Sequence, residues 1–395
     1  KPYFITISNI DSKTPEKVKS GNERVIRPRF SDAAFFWNQD RKQPLDAFLL
    51  RLDQVVFQKK LGSIGNKCQR IEKLSEKIAD QLGVDVKQAG RAALLSKCDL
   101  MTNMVGEFPS LQGVMGHYYA IASGEDAVVA IAIEEQYFPR HASDKLPALA
   151  VGQVVAICDR IDTLVGIFAI GEKPTGEKDP YALRRAAIGV LRILIECQLD
   201  LDLEVLIDEA AILLSDKVDA KKAKAEVFDF MLERLRAYYS DRDVPVDVFD
   251  AVSALRPSRP LDFDKRIKAV SAFRALPEAE SLAAANKRVG NILKKSSAES
   301  SGSVVESLFQ EEAEKTLFVK LSSLKSSVES LFDAGKYEQA LRELSALREP
   351  VDAFFDSVMV MADDEAIKNN RIALLAQMSA LFMRAADLSR LHQKG

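Results

Sequence analysis

The chain has 395 residues, 47% of them hydrophobic and 29% charged, and a formal net charge of −3. That balance belongs to an ordinary folded protein of roughly two to four domains, each able to bury its own core, and it excludes wholesale disorder. It also excludes a spanning helix, because charges interrupt every apolar run before the ~18–20 residues such a helix needs.

The reading begins at Lys1 with no methionine, and Lys1–Asn9 resembles a strand more than a signal peptide. The sequence is therefore expected to start inside a longer protein. Tyr3–Ile7 is wholly aromatic or β-branched, which predicts a strand closing a preceding domain. Helical periodicity then takes over. Leu45, Phe48, Leu49, Leu52 and Val56 form one apolar stripe, and Ile71, Leu74, Ile78 and Leu82 form the next, ended by Gly83. Asp85 is placed to cap a helix running towards Met101. Breaks follow around Pro109, Pro139 and Pro147.

Val154, Ile157, Ile161, Leu164 and Phe168 mark a strongly apolar helix. Asp179–Pro180 offers a cap and a first-turn proline to the helix through Leu183, Val190 and Leu194. Further helices are expected at about 202–214 and 219–240, and the polar stretch Ser296–Ser303 reads as a loop. The last hundred or so residues read as a helical bundle whose final helix starts near Asp363 and Asp364 and runs to the end. The fold class is mainly α, multi-domain, with a small β remnant at the N-terminus.

Charge is segregated along this framework. From Arg256 to Lys295 there are ten Lys/Arg against four Asp/Glu, a local +6 that leaves −9 for the remainder. A local patch of this kind can act on a partner because screening makes the distant acids matter little at physiological salt.

Catalytic signatures are missing. There is no phosphate-binding glycine loop, no nucleophile elbow and no H-x-x-x-H, and the three histidines, His117, His141 and His392, are scattered. Cys68, Cys98, Cys158 and Cys197 form no C-x-x-C pair and read as buried thiols. Asp99, Asp159 and Asp162 with His117 and His141 are the one set that could hold a divalent ion. Asp159 and Asp162, three apart, point to one side of their helix. Solvation, or pairing with Arg184 or Arg185 of the following helix, is the commoner arrangement, so neither a catalytic residue nor a metal ligand is assigned.

Seven stretches, in order, resemble the β subunit of bacterial glycyl-tRNA synthetase. They are Gly21–Phe36, Leu94–Phe108, Gln112–Gly116, Asp159–Phe168, Pro174–Ala187, Ala283–Leu293 and Val351–Met361. The resemblance implies an N-terminally truncated β subunit divided as follows: 1–42, the end of an N-terminal domain; 43–200, an HD-like helical domain; 201–260, a helical linker region; and 261–395, an anticodon-binding domain like that of arginyl-tRNA synthetases. Where an active HD hydrolase has a His-Asp doublet, the corresponding-looking stretch is Lys97-Cys98-Asp99, which argues against hydrolysis. The implied role is recognition of tRNA(Gly), body and anticodon, in a cytoplasmic α2β2 heterotetramer. The chain itself would carry no cofactor, and ATP and Mg would act at the α subunit. Candidates for anticodon contact are Asn286, Asn370 and Arg371, since unpaired bases are read at their edges. Candidates for phosphate contact are Arg184, Arg185, Lys287, Arg288, Lys294 and Lys295. Arg371 could instead pair with Asp363 or Asp364, and Phe354, Phe355, Phe382 and Met383 read as core. An HD-type metal-dependent phosphohydrolase is the alternative function; arginyl-tRNA synthetase itself and a plain scaffold are weaker ones.

Overall fold

The structure is a computed structural model that describes residues 3–295 and 303–391. His392 and all of the expected loop Ser296–Ser303 except Ser303 lie outside the described residues. The chain divides into two compact units, one running to Ile193 and taking in Asp208–Lys224, the other comprising Leu194–Ile207 and the chain from Ala225 onward.

The first unit begins with helix α1 (Pro15–Asp40), which the sequence reading missed: its mean hydropathy is low and it contains Pro28. Trp37 stacks on Tyr119, and Asp40 accepts hydrogen bonds from Tyr119 Oη at 2.9 Å and the Met104 amide at 3.0 Å, which docks the end of α1. The expected strand at Tyr3–Ile7 is not formed; Tyr3, Ile5 and Ile7 are 81%, 93% and 96% exposed. A β-rich sequence makes a strand only against an edge that supplies its hydrogen bonds. Among the described residues the sheet is instead a small hairpin, β1 (Val56–Gln58) antiparallel to β2 (Gly62–Ser63). Its first strand also cuts short the helix expected through Val56, which ends at Leu52.

Ser63 caps helix α2 (Ile64–Leu82) through a reciprocal box with Asn66. The helix stops at Gly83, which takes the left-handed conformation, φ 67°, that glycine adopts without a Cβ clash. Asp85 caps α3 (Val86–Leu95) by accepting from the Gln88 amide at 2.9 Å. Short turns lead to α4 (Val114–Ala122) and α5 (Ala127–Glu135). Helices α2, α3 and α5 pack around α6 (Ala150–Ala169), which is buried on nearly every side, including Val154, Ile157, Ile161 and Leu164 at 0% exposure. A helix apolar all round must sit inside a protein, and α6 is the core of the unit. Helix α7 (Leu183–Glu196) starts three residues later than the Asp-Pro signal suggested. Asp179 reaches forward to accept from the Leu183 and Arg184 amides at 2.8 and 3.0 Å.

After α8 (Leu203–Leu213), the second unit contains α9 (Lys224–Ser240), α10 (Val246–Ser253), α11 (Pro260–Arg274) and α12 (Ala279–Lys295). Its later part is a bundle of α13 (Glu312–Asp333), α14 (Tyr337–Leu344), α15 (Arg348–Ser357) and α16 (Glu365–Met383). Phe263, Phe273, Phe354 and Phe382 fill its interior. Asp364 caps α16, which ends at Met383, earlier than the terminus expected from periodicity.

One buried ion pair ties the bundle together. Arg371 on α16 donates to both carboxylate oxygens of Glu314 at 3.0 and 3.1 Å, and to the Met359 carbonyl at 2.9 Å. Glu314 in turn accepts from the Gln310 and Glu311 amides at 3.0 and 2.9 Å. Burial alone would raise the Glu314 pKa, but the Arg371 hydrogen bonds and the two amides outweigh it and hold the carboxyl below its ordinary value. Removing one partner leaves an uncompensated interior charge, so Arg371→Met is expected to lower unfolding stability by ~3–5 kcal/mol. The double variant Arg371→Met/Glu314→Gln should recover part of that loss. Urea denaturation checks both, and additive losses would show that the two side chains are not coupled.

Candidate nucleic-acid interface

In the first unit, the residues that could have formed a metal centre are engaged otherwise. Arg70 binds Asp162 through two bonds, Nε to Oδ1 at 2.6 Å and Nη2 to Oδ2 at 3.1 Å. Lys67 Nζ reaches Asp162 Oδ2 at 3.2 Å, the Asp159 carbonyl at 2.9 Å and Thr163 Oγ1 at 2.7 Å. Asp159 Oδ1 lies 3.1 Å from Lys67 Nζ and 3.4 Å from Lys97 Nζ, ion pairs that lack hydrogen-bond alignment. Burial pushes the Asp159 pKa up, but Lys67, Lys97 and Arg160 pull harder and hold it well below the usual carboxylate range. The expected pairing of Asp159 and Asp162 with Arg184 or Arg185 is therefore corrected: their counter-charges come from α2 and from Lys97.

Asp99 sits apart from this cluster. One of its oxygens accepts from the amides of Gly113 and Gly116 at 2.6 and 3.2 Å. A Cβ on Gly116 would stand 2.6 Å from Ile133 Cγ2 and 3.2 Å from the Asp99 carboxyl, so the close approach requires glycine. Two of the motif stretches, around Lys97-Cys98-Asp99 and Gln112–Gly116, thus meet for packing. His117 Nδ1 lies 3.0 Å from Glu134 and exposed His141 lies 3.3 Å from Ser143 Oγ. Among the described residues no group of three or more His, Cys, Asp or Glu could hold a metal ion. Cys68, Cys98 and Cys158 are buried thiols, that of Cys68 pushed by burial up to about 11.

Arg184 and Arg185 separate as adjacent helical residues must. Arg184 turns back to donate to the Gly176 carbonyl at 2.6 Å. Arg185 is exposed and lines a cleft of about 420 Å³ with Arg140, Tyr137, Tyr181 and Asp159.

In the second unit, the three expected base-reading residues lie inside. Asn286 is 5% exposed and donates to the Leu282 carbonyl at 2.9 Å. Asn370, 4% exposed, accepts from the Val305 amide at 2.7 Å and donates to the Val305 carbonyl at 3.1 Å. Arg371 belongs to the Glu314 pair, so its partner is neither Asp363 nor Asp364. Buried and internally bonded, these side chains position helices and do not offer edges to a base.

The cations fare differently. Lys287, Arg288, Lys294 and Lys295 are all exposed on α12, while Leu282, Ala285 and Val289 face the core. Lys287, Arg288 and Asn291 line a groove of about 710 Å³ together with Arg274, Glu280, Leu276 and Ala283. The Arg288 guanidinium stands 4.3 Å from the centroid of Phe355. Phe355 is only half-buried, in contrast to Phe354 at 0%, and Met383 is 40% exposed, so two residues expected in the core reach the surface. Nothing in the sequence distinguished Phe355 from Phe354 except their adjacency, which turns them about 100° apart around α15. Lys294 and Lys295 occupy the last turn of α12, where cations also favour the helix dipole.

This face lies within residues 282–389, which match the profile of a family described as DALR anticodon binding domain. The chain as a whole belongs to the glycyl-tRNA synthetase beta subunit family, whose profile matches residues 1–254. Proteins named glycine–tRNA ligase beta subunit are similar over almost its whole length. That of Pseudomonas aeruginosa is 54% identical over 390 residues, 99% of this chain. That of Aeromonas salmonicida is 55% identical over 390 residues, and that of Aliivibrio fischeri 54% over 392. The chain spans 57% of the length of each of these relatives.

The interior charges of the first unit make a checkable demand. Stability contributed by Asp159 is fully present above the unfolded Asp value of about 3.9 and is lost as pH falls towards its depressed folded value. Lys67→Met removes one source of that depression. It is expected to cost ~3–5 kcal/mol at neutral pH and to move acid unfolding to higher pH, measured by circular dichroism during acid titration. An unchanged acid midpoint would show that Lys67 does not set the Asp159 charge.

Proposed function

We propose that this chain is the tRNA-recognising part of a glycine–tRNA ligase beta subunit, binding tRNA(Gly) while an α subunit carries out ATP- and Mg-dependent glycylation. The chain is non-catalytic in this reading and acts in a cytoplasmic α2β2 assembly. No helix among its described residues is long and apolar enough to cross a membrane. The observation that carries the reading is the outward face of α12: Arg288 stands over Phe355 and, with Lys287, also lines a groove, inside the region that matches an anticodon-binding family. A splayed anticodon base can stack on the Phe355 ring or the guanidinium plane, while Lys287 meets phosphate.

The proposed domain division keeps 43–200 as an HD-like helical domain and 261–395 as the anticodon-binding domain. Within the former, Lys67, Arg70 and Lys97 supply the positive charge that a hydrolase of that type takes from metal. That arrangement favours a retained scaffold over the phosphohydrolase alternative, since a divalent ion would have to displace three bound cations to reach Asp159 and Asp162.

The experiment is equilibrium binding of the chain to tRNA bearing a glycine anticodon and to an anticodon-swapped control. Stacking contacts are worth ~1–3 kcal/mol per base, so Arg288→Ala and Phe355→Ala should each weaken cognate binding by about 5- to 150-fold and shrink the difference between the two tRNAs. Equal binding of both tRNAs by the unaltered chain would remove the anticodon assignment.

A further inference from the structure

A second basic cleft in the same unit shares no lining residue with the α12 groove. Its volume is about 450 Å³, and its lining includes Arg256, Arg259, Arg266 and Arg384, with Asp262 as the one carboxylate on its wall. Arg256 and Arg259 come from the segment between α10 and α11, and Arg266 from α11; Arg384 is brought in from the end of α16 by the fold.

Arg266 is the fixed member. Its Nε donates to Asp262 Oδ2 at 2.7 Å, Nη2 to Tyr337 Oη at 2.9 Å, and Nη1 to the Arg384 and Ala385 carbonyls at 2.5 and 3.0 Å. Tyr337 Oη donates in turn to Asp262 Oδ1 at 2.6 Å, which closes the support. The rim arginines are held loosely by comparison. Arg256 Nη2 meets Asp229 at 2.6 Å, Arg259 Nη1 meets Asp200 at 3.0 Å, and Arg384 Nη2 pairs with Asp333. The three partner carboxylates are 59%, 66% and 71% exposed. Exposed pairs of this kind contribute little and exchange partners readily. Arg256 also adopts φ 49°, an unusual left-handed backbone for a non-glycine residue, here directly before Pro257. Such strain persists only where surrounding structure enforces it.

We propose that this cleft binds successive phosphate groups of an RNA backbone, a second anchoring subsite that rests on the tRNA-binding reading of the chain. Guanidinium forks match phosphate oxygens bidentately. Arginines distributed along an open rim, Arg256 and Arg384 each tethered to one exposed acid and Arg259 shared between exposed Asp200 and, at 3.8 Å, Asp202, suit a repeating polyanion better than one enclosed ion. Asp229 and Asp333 then act as placeholders that the phosphates displace.

The test is tRNA binding by the intact chain across a salt series, with thermal melting to confirm that each variant folds. Arg256→Gln/Arg384→Gln should make the slope of log affinity against log salt shallower by about 1–2, as expected for two lost phosphate contacts. Asp229→Asn/Asp333→Asn should tighten binding at the same salt, an effect that a merely structural role for these pairs does not produce. If both double variants bind like the unaltered chain while Arg288→Ala weakens binding, the cleft proposal is overturned and the anticodon reading stands. If the unaltered chain does not bind tRNA even at low salt, both are overturned. Calorimetry with inorganic pyrophosphate distinguishes a small anion from RNA. Stoichiometric pyrophosphate uptake lost in Arg256→Gln/Arg384→Gln, with tRNA slopes unchanged, assigns the cleft to a small anion and overturns the RNA proposal.

Discussion

Asp162 is 1% exposed and sits in the middle of the buried helix α6. A carboxylate removed from water in this way needs both a counter-charge and a full set of hydrogen bonds. Arg70 and Lys67, one turn apart on α2, provide both and fix the register of α2 against α6. Arg160, the residue before Ile161, solves the inverse problem: it is 9% exposed and donates to the carbonyls of Gln136, Ala156, Tyr137 and Pro139. The D-R-I-D stretch is therefore the point at which the first unit is keyed together. Its carboxylates are committed before any ligand arrives.

The same rule shapes the second unit with different residues. Glu314 is fully buried, caps α13 from within and receives Arg371 from α16, while Asn370 pins the Val305 backbone beside it. Neighbouring residues on one helix thereby hold two separate segments. With these polar groups directed inward, the chemistry left for a partner is what α12, α15 and the loops turn outward: Lys287, Arg288, Asn291 and the ring of Phe355. Internal polar groups set the shape, and the solvent-facing cations are what the proposed RNA partner would meet. That division explains why the residues with the most hydrogen-bonding capacity are poor candidates for reading a base.

Much of this was legible in the sequence where local physics decides the outcome. Gly83, Asp85 and Asp364 ended or began helices as their chemistry predicts, and the apolar stripe from Val154 to Phe168 became the buried helix. The exposed cations of α12 followed from the charge segregation. What stayed hidden depends on distant partners. Lys67, Arg70 and Lys97 had no local reason to be interior, and only the fold brings them to Asp159 and Asp162. Arg371 sits at a helical position that suits either surface or core, and the choice is made by Glu314, 57 residues away. Tyr3–Ile7 failed in the opposite sense: its β propensity is real, but a strand is a property of two segments.

A chain of net charge −3 can hold a polyanion because charge acts locally. At physiological ionic strength the field of a surface charge decays over about 8 Å, so the acids elsewhere in the sequence do not cancel the outward cations of α12. Even nearby acids need not oppose binding. Arg256, Arg259 and Arg384 each face an exposed aspartate, and such a pair is stabilised by so little that a phosphate, offering more acceptor oxygens, can replace the carboxylate at small cost. The aspartates then raise selectivity: a partner presenting one isolated negative charge gains nothing by the exchange, whereas a repeating backbone displaces several at once and releases its own counterions in doing so. On the proposed reading, near-neutral overall charge with paired rim arginines lets the chain favour structured RNA over stray anions.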